Sequence, residues 1–320
     1  MYSICYVVTD NENLRYYNQM LISIFSLRKF NPKIQINILT DKNTILAINN
    51  AKRTELEKWN TDIIEVDIPD SFSQKEKSRF IKTSMRHYVD GDFLFIDSDT
   101  IIVKALPCEI CNEDLAMVLD QHTVLKNRIN RAYVIEMSRD CGFGTEVGNL
   151  YFNSGVIWAR DTQFVHDFFH DWHRNWEKGI KSNIVLDQPS LNYTNRKSGY
   201  CVKQLKDIFN VQISTVPAPI HYLRDAYIIH YYNVNEGNSA YLLSDSEIQA
   251  KGYQSEVVQN IIDDPLYAFK PCKIIPCDNV TERVLTTASF RALVKRYSDR
   301  KILFNVIELG HRILQRFQRK

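Results

Sequence analysis

No apolar run in this sequence approaches the roughly 20 residues that a membrane-spanning helix needs, so no helical span is expected. Net charge is scarce as well. Lys and Arg exceed Asp and Glu by only +2, which argues against a dedicated nucleic-acid binder. Cysteines number seven, odd and widely spread, and fit reduced thiols better than a disulfide framework. No histidine cluster completes Cys108-Glu-Ile-Cys111, and Cys272 and Cys277 are spaced differently, so no zinc site is expected from the thiols. The opening MYSICYVVT lacks a basic stretch and a long apolar core, so the expected location is the cytoplasm. The sequon-like triplets at Asn192 and Asn279 carry no weight there. Internal repeats and low-complexity linkers are also missing. What remains is an ordinary soluble composition, 44% hydrophobic and 24% charged over 320 residues, enough for a full core.

The first hundred residues alternate regularly. SICYVVT reads as a buried strand and NLRYYNQMLISIFSLRKF as a helix with apolar residues at helical spacing. IQINILT (strand), a polar helical stretch near 43–59, DIIEVDI (strand), a helix near 74–89 and DFLFID (strand) follow. This alternation predicts βαβ units and a mostly parallel sheet flanked by helices. Beyond residue 100 the pattern becomes mixed. DLAMVLDQ reads as a strand, 122–150 as an irregular stretch with three glycines, and NLYFNSGVIWAR as a strand broken at Asn-Ser-Gly. Residues 161–177 form an aromatic amphipathic helix, LDQPSLNYTN opens another with Pro189 in its first turn, and YIIHYYN is a short strand carrying His230. One compact domain is expected over 1–282, followed by a tail over 283–320.

In open α/β sheets ligands sit beyond the carboxyl ends of the strands. Thr9-Asp10 falls at that edge of the first strand, and Asp97-Ser98-Asp99 at the same edge of the fourth. The plain alternative for Asp97 and Asp99 is a strand running into a solvated acidic turn. Two carboxylates one residue apart at an apolar strand end also suit a hard divalent cation, Mn²⁺ or Mg²⁺, which bridges carboxylates to diphosphate oxygens. His230, on a strand followed at once by Asn233 and Asn235, is the candidate third ligand, against a satisfied core histidine. Arg79 begins the helix that leads into this strand and has the reach for a diphosphate, with Lys82 one turn on as the second candidate. Their alternative is a solvated helix face.

Charge is unevenly placed. Residues 291–320 hold nine Lys/Arg and two Asp/Glu, leaving the body mildly acidic. Leu303, Val306, Ile307, Ile313, Leu314 and Phe317 recur at helical spacing among these cations. Such a tail is either a terminal helix packed on its own domain or a peripheral membrane contact at the inner face, where each cation near anionic lipid adds about 1 kcal/mol.

An ordered set of segments resembles the GT-A-fold glycosyltransferases, most closely the retaining family 8 group that includes glycogenin and bacterial lipopolysaccharide glycosyltransferases. The segments are ICYVVTD, SRFIK, FLFIDSDTIIV, FNSGVIWARD, LDQPSLN and IIHYYN, spanning about residues 3–235. The resemblance implies a GT-A catalytic domain that moves a sugar from a nucleotide-sugar donor, UDP-linked, to a glycan or lipid-linked acceptor such as lipopolysaccharide or another surface polysaccharide. It implies that Thr9 and Asp10 contact base and ribose, Ser98 the ribose, and Arg79 the donor sugar or diphosphate. It also implies that Asp97, Asp99 and His230 hold Mn²⁺ or Mg²⁺. Asn153, Asp187 and Gln188 are implied to line the donor sugar, with Asp187 or Gln188 beside the anomeric carbon. The chain departs after His230: HYYNVNEGNSAYLL offers Gly237 but no lysine for the diphosphate. A more distant GT-A relative sharing the Asp-Gln-x-x-x-Asn pattern fits equally.

Retention is open to two routes, double displacement through two carboxylates or front-side attack, and the resemblance implies the second. Two other readings stay open. FLFIDSDT is similar to the nucleophile strand of haloacid-dehalogenase phosphatases, although three βα units precede it here and Asp263-Asp264 lies in a helix–Pro context. A GT-A-like binding module without activity is the other.

Overall fold

The computed structural model describes residues 2–128, 130–213, 224–231 and 246–268, together with nine isolated positions between 284 and 310. Asn233, Asn235, Gly237, Cys272, Cys277 and most of the basic tail lie outside the described residues.

The expected alternation is present. Strands β1 (Ser3–Val7), β2 (Ile36–Thr40), β3 (Asp62–Glu65) and β4 (Phe93–Ile96) are separated by helices α1 (Arg15–Phe30), α2 (Lys42–Asn50), α3 (Glu55–Lys58) and α4 (Gln74–Ser84). A 3₁₀ turn, Met85–His87, extends α4. Strand β5 (Thr100–Ile102) follows directly, then β6 (Leu115–Leu119), helix α5 (Arg131–Asp140), β7 (Phe152–Ala159), α6 (Gln163–Lys181) and α7 (Gln188–Lys197). Strands β8 (Lys203–Gln204), β9 (Val211–Ile213) and β10 (Ile228–Tyr231) and helices α8 (Ser246–Lys251) and α9 (Glu256–Asp263) complete the described elements.

The main sheet has the order β3-β2-β1-β4-β7-β6-β8. β1, β2, β3 and β4 run parallel, as do β6 and β8, while β7 is antiparallel to both of its neighbours. Because β1, β2, β4, β6 and β7 are buried on both faces, alternate side chains feed two cores. Ile4, Tyr6, Ile38, Leu94, Ile96 and Trp158 join the α1 side, where Met20, Ile24 and Leu27 pack. Cys5, Val7, Leu39, Phe93, Phe95 and Ile157 join the opposite side, against Ile81 of α4 and Phe168, Phe169 and Trp172 of α6. Each such side chain contributes about 1.5–3 kcal/mol on full burial.

The strand order reverses at β1. The chain leaves β1 toward β2 over one face, then returns from β3 to β4 on the other side of β1, with α4 on the opposite face. A crevice therefore opens between the carboxyl ends of β1 and β4, where α/β sheets bind ligands.

Three features differ from the expectations. Helix α5 occupies part of the stretch expected to be irregular; it buries only Val134 and Ser138 and has no side-chain cap, so its periodic signal is slight. β7 is not broken at Asn-Ser-Gly but runs continuously through it. Val156 pairs with Ile96 and Phe152 with Leu119 on either side of it, while the register against β6 shifts across Asn153–Gly155, so the strand continues through an irregularity there. A second sheet, β5-β10-β9, was not anticipated, and its core of Ile101, Val211, Ile229 and Tyr231 packs on Val258 and Ile261 of α9. Among the described residues no helix is long and apolar enough to cross a membrane.

Candidate functional site

Asp97-Ser98-Asp99 is the link between the two sheets. The chain leaves β4 at Ile96 and enters β5 at Thr100, so it turns from one sheet to the other within three residues. The turn is pinned from both sides. The Asp97 backbone N–H donates to Gly155 of β7 at 2.8 Å, and the Tyr231 N–H of β10 donates to the Asp99 carbonyl at 2.9 Å. The antiparallel register of β10 on β5 sets His230 opposite Thr100, and so beside the acidic turn. His230 Nε2 lies 3.1 Å from Asp99 Oδ1 and 3.9 Å from Asp97 Oδ2.

These three side chains offer ligand atoms within 4.8 Å of one another, and no other group of three His, Cys, Asp or Glu among the described residues does so. Two carboxylates and an imidazole are a donor set for a hard divalent cation such as Mn²⁺. The fold also makes room for the ring. A Cβ on Gly155 would lie 2.1 Å from His230 Cε1, so only glycine fits beneath it.

Two cations meet the carboxylates from α4, where Arg79 stands in mid-helix and not at its start, because the helix already begins at Gln74 behind the Ser73 cap. Lys82 is 2% exposed; its Nζ lies 3.0 Å from Asp97 Oδ1 and 3.4 Å from Asp187 Oδ2, above the Phe95 ring. Arg79 Nε lies 3.0 Å from Asp187 Oδ1. Asp187 also accepts from Ser154 Oγ at 2.7 Å, and its carbonyl accepts from Trp172 Nε1 at 3.1 Å. Burial alone would raise the Asp187 pKa, yet Lys82 and Arg79 hold it well below the usual carboxylate range. Burial raises Asp97, with Lys82 opposing. For His230, burial works downward, but Asp99 and Asp97 outweigh it and raise its proton affinity. Three carboxylates face two fixed cations, a net charge of −1 that a dication would turn positive, which suits an anionic diphosphate.

From this cluster a cleft of about 410 Å³ extends along the crevice, lined by Thr9, Tyr16, Gln74, Arg79, Ser98 and Asp99 among others. Thr9 and Asp10 are buried at its β1 end. Thr9 Oγ1 donates to the Gln74 carbonyl at 3.0 Å. Asp10 accepts from the Tyr17 N–H at 2.8 Å and the Asn11 N–H at 3.0 Å, where it holds the first turn of α1. Its carboxylate is thus engaged with the protein, and it does not line the cleft. Asn153 is buried and bonds Asp120, Asn210 and the Gly155 backbone. Gln188 Nε2 donates to the Phe152 carbonyl at 3.1 Å, tying α7 to β7.

Sequence reasoning missed Tyr16, Gln19 and Gln74 in the cleft, and it ranked Lys82 second among cations although Lys82 bridges two of the acids. The run SQKEKSR gave Lys82 the look of a solvated face. Asp263 and Asp264, the later acidic pair, end α9 away from the cleft lining.

No family model matches the sequence, and no curated protein matches it. Solved structures do. The galactosyltransferase LgtC, crystallised with donor and acceptor sugar analogs, superposes with a TM-score of 0.50 at 14% identity over 88% of this chain and 99% of that chain. Mouse xyloside xylosyltransferase 1 is similar at 12% identity over 72% of this chain and 97% of its own, TM-score 0.47. Glycosyltransferase GlyE of Streptococcus pneumoniae TIGR4 is similar at 17% over 82% of this chain and 62% of its own, TM-score 0.48. The LgtC likeness establishes the shared arrangement of elements, the GT-A fold.

Proposed function

We propose that this chain is a metal-dependent glycosyltransferase that moves a sugar, a hexose, from a UDP-linked donor to a glycan or lipid-linked acceptor with retention. The observation that carries the reading is the convergence of Asp97, Asp99 and His230 at the rim of the switch-point cleft. Mn²⁺ or Mg²⁺ held there would supply Lewis acidity to the departing diphosphate. The nucleoside is assigned to the stretch of cleft between Thr9 and Ser98. Arg79, at the mouth of the cleft, faces the diphosphate or the sugar.

Asp187 and Gln188 are assigned to the sugar end, with Asn153 behind them. Asp187 is a poor proton acceptor, because Lys82 and Arg79 stabilise its ionised form. Its contacts to Arg79, Lys82 and Ser154 also leave it constrained as a nucleophile. Both points support front-side attack. The bond from the anomeric carbon to the phosphate oxygen breaks as the bond to the acceptor oxygen forms on the same face. The acceptor proton passes to the leaving phosphate oxygen. The fixed charges of Lys82, Arg79 and Asp187 stay in place throughout and cost no reorganisation.

Release of a nucleoside diphosphate from a panel of nucleotide sugars, with and without Mn²⁺, tests the reading. Metal-dependent release from one donor is expected, and its loss in Asp99→Ala with folding intact. Turnover of simple phosphate esters instead would favour a phosphatase, and binding without release a non-catalytic module. The basic tail is assigned to an anionic membrane surface that carries the acceptor. Unchanged sedimentation with anionic vesicles after removal of residues 291–320 would overturn that assignment.

A further inference from the structure

We infer that the groove between α1 and α8 is a second binding site, which takes an acidic saccharide and meets its carboxylate or phosphate with Arg53 and Asn18. The inference deepens the reading above, on which it rests for the saccharide, by making the acceptor an acidic glycan. The groove measures about 540 Å³, within the usual range of small-ligand sites. Tyr16 lines the switch-point cleft, Arg15 and Asn18 line the groove, and Gln19 lines both. The two are thus separated by the width of α1, about 10 Å.

One part of the lining is apolar and rigid. Leu21, Ile22 and Ile248 are buried there, and Tyr253 lies 5.2 Å from the rings of both Phe25 and Trp59. Such a wall suits the C–H face of a sugar ring. The other part is polar, and it donates. Arg53 is held on three sides. Glu55 Oε1 lies 2.7 Å from Nη2 and 2.9 Å from Nε, Asn18 Oδ1 lies 3.1 Å from Nη1, and the Tyr17 ring lies 5.1 Å from the guanidinium carbon. These contacts leave a second N–H on each terminal nitrogen. A guanidinium can only donate, so Asn18 must turn its oxygen to Arg53 and its N–H₂ the other way. Fixed donors set side by side select a partner that only accepts, an oxyanion. Charge agrees with this. Among the described residues the groove is lined by Arg15, Arg53 and Lys251 against one carboxylate, Glu55. Lys251 also reaches Glu247 at 3.6 Å, but an exposed pair of this kind is weak.

Calorimetric titration of the full chain tests the inference, with trigalacturonate and glucose 6-phosphate as acidic probes and galactotriose and inorganic phosphate as controls. At least one acidic probe should bind about tenfold more tightly than both controls, as hydrogen bonds to a charged group imply, and which one does so identifies the oxyanion. Asn18→Asp keeps the oxygen that accepts from Arg53 but turns a negative oxygen to the groove. It should weaken that binding by about tenfold or more, with an unchanged unfolding midpoint. Should it fail to fold, replacing the exposed cations together, Arg15→Gln with Lys251→Gln, should weaken the binding instead, and unchanged affinity there overturns the inference. No binding of either acidic probe, or equal affinity for galactotriose or inorganic phosphate, also overturns it. Binding kept in Asn18→Asp but lost in Asp99→Ala places the probe in the cleft and does the same. Asp99→Ala, which disables the proposed transfer, should bind the acidic probe as the wild type does. A chain that binds the probe in the groove yet turns over no nucleotide sugar rejects the transferase reading and leaves the groove standing.

Discussion

Gly155 shows how one atom decides a site. A methyl group there would lie 2.1 Å from the His230 ring, so the ring must swing out of line. Gly155→Ala is expected to cost about 1–3 kcal/mol by overpacking and to abolish Mn²⁺ binding, read by urea unfolding and metal titration on the same sample. Asp187 illustrates a different use of a residue type. At the N-cap of α7 an aspartate ordinarily accepts from the helix backbone, but this one makes no cap and turns to Lys82, Arg79 and Ser154. Its folded pKa is depressed below the unfolded value of about 3.9. The sign follows: its ionised form stabilises the fold above that value, and the contribution is lost as pH falls toward the folded one. Wild-type stability should therefore drop more steeply below about pH 5 than that of Asp187→Asn, measured by denaturation across an acid pH series.

At the scale of elements, α4 matters most because it carries both Arg79 and Lys82. Its start is secured by a capping box: Ser73 Oγ accepts from the Glu76 N–H at 3.3 Å, and Glu76 accepts from the Ser73 N–H at 2.7 Å. The capping box is local in the chain, since Ser73 and Glu76 lie three residues apart. Ser73→Ala should cost about 1 kcal/mol in chemical denaturation. The strand–helix order up to β4 was legible for the same kind of reason, since period-2 and period-3.6 patterns are local. Helix α5 was not, because a helix burying two residues leaves almost no periodic trace. The continuity of β7 was hidden as well. Asn153, Ser154 and Gly155 look like a turn until their distant partners Asp120, Asp187 and the Asp97 N–H are known.

At the scale of the molecule, the proposed ligands come from two sheets. Asp97 and Asp99 end the main one, and His230 belongs to the smaller. An ion shared among them would tie the sheets together, and would then bind the folded state and not the unfolded chain. Mn²⁺ at a hundredfold excess over its Kd should stabilise the protein by about 2.7 kcal/mol. The rise in Tm should vanish with a chelator and be absent in Asp99→Ala.

The amino-acid sequence by itself determined the α/β alternation, the placing of Thr9 and Asp97 at one sheet edge, and the residue types suited to a cation. These depend on neighbours within a turn or a strand, or on the rule that parallel strands share a carboxyl edge. Only the tertiary structure decided that Lys82 lies between Asp97 and Asp187 and that Gly155 clears space for His230. Those contacts join residues 15 to 105 positions apart, and their sign depends on burial. No local pattern encodes which distant charge will be taken out of water beside which other.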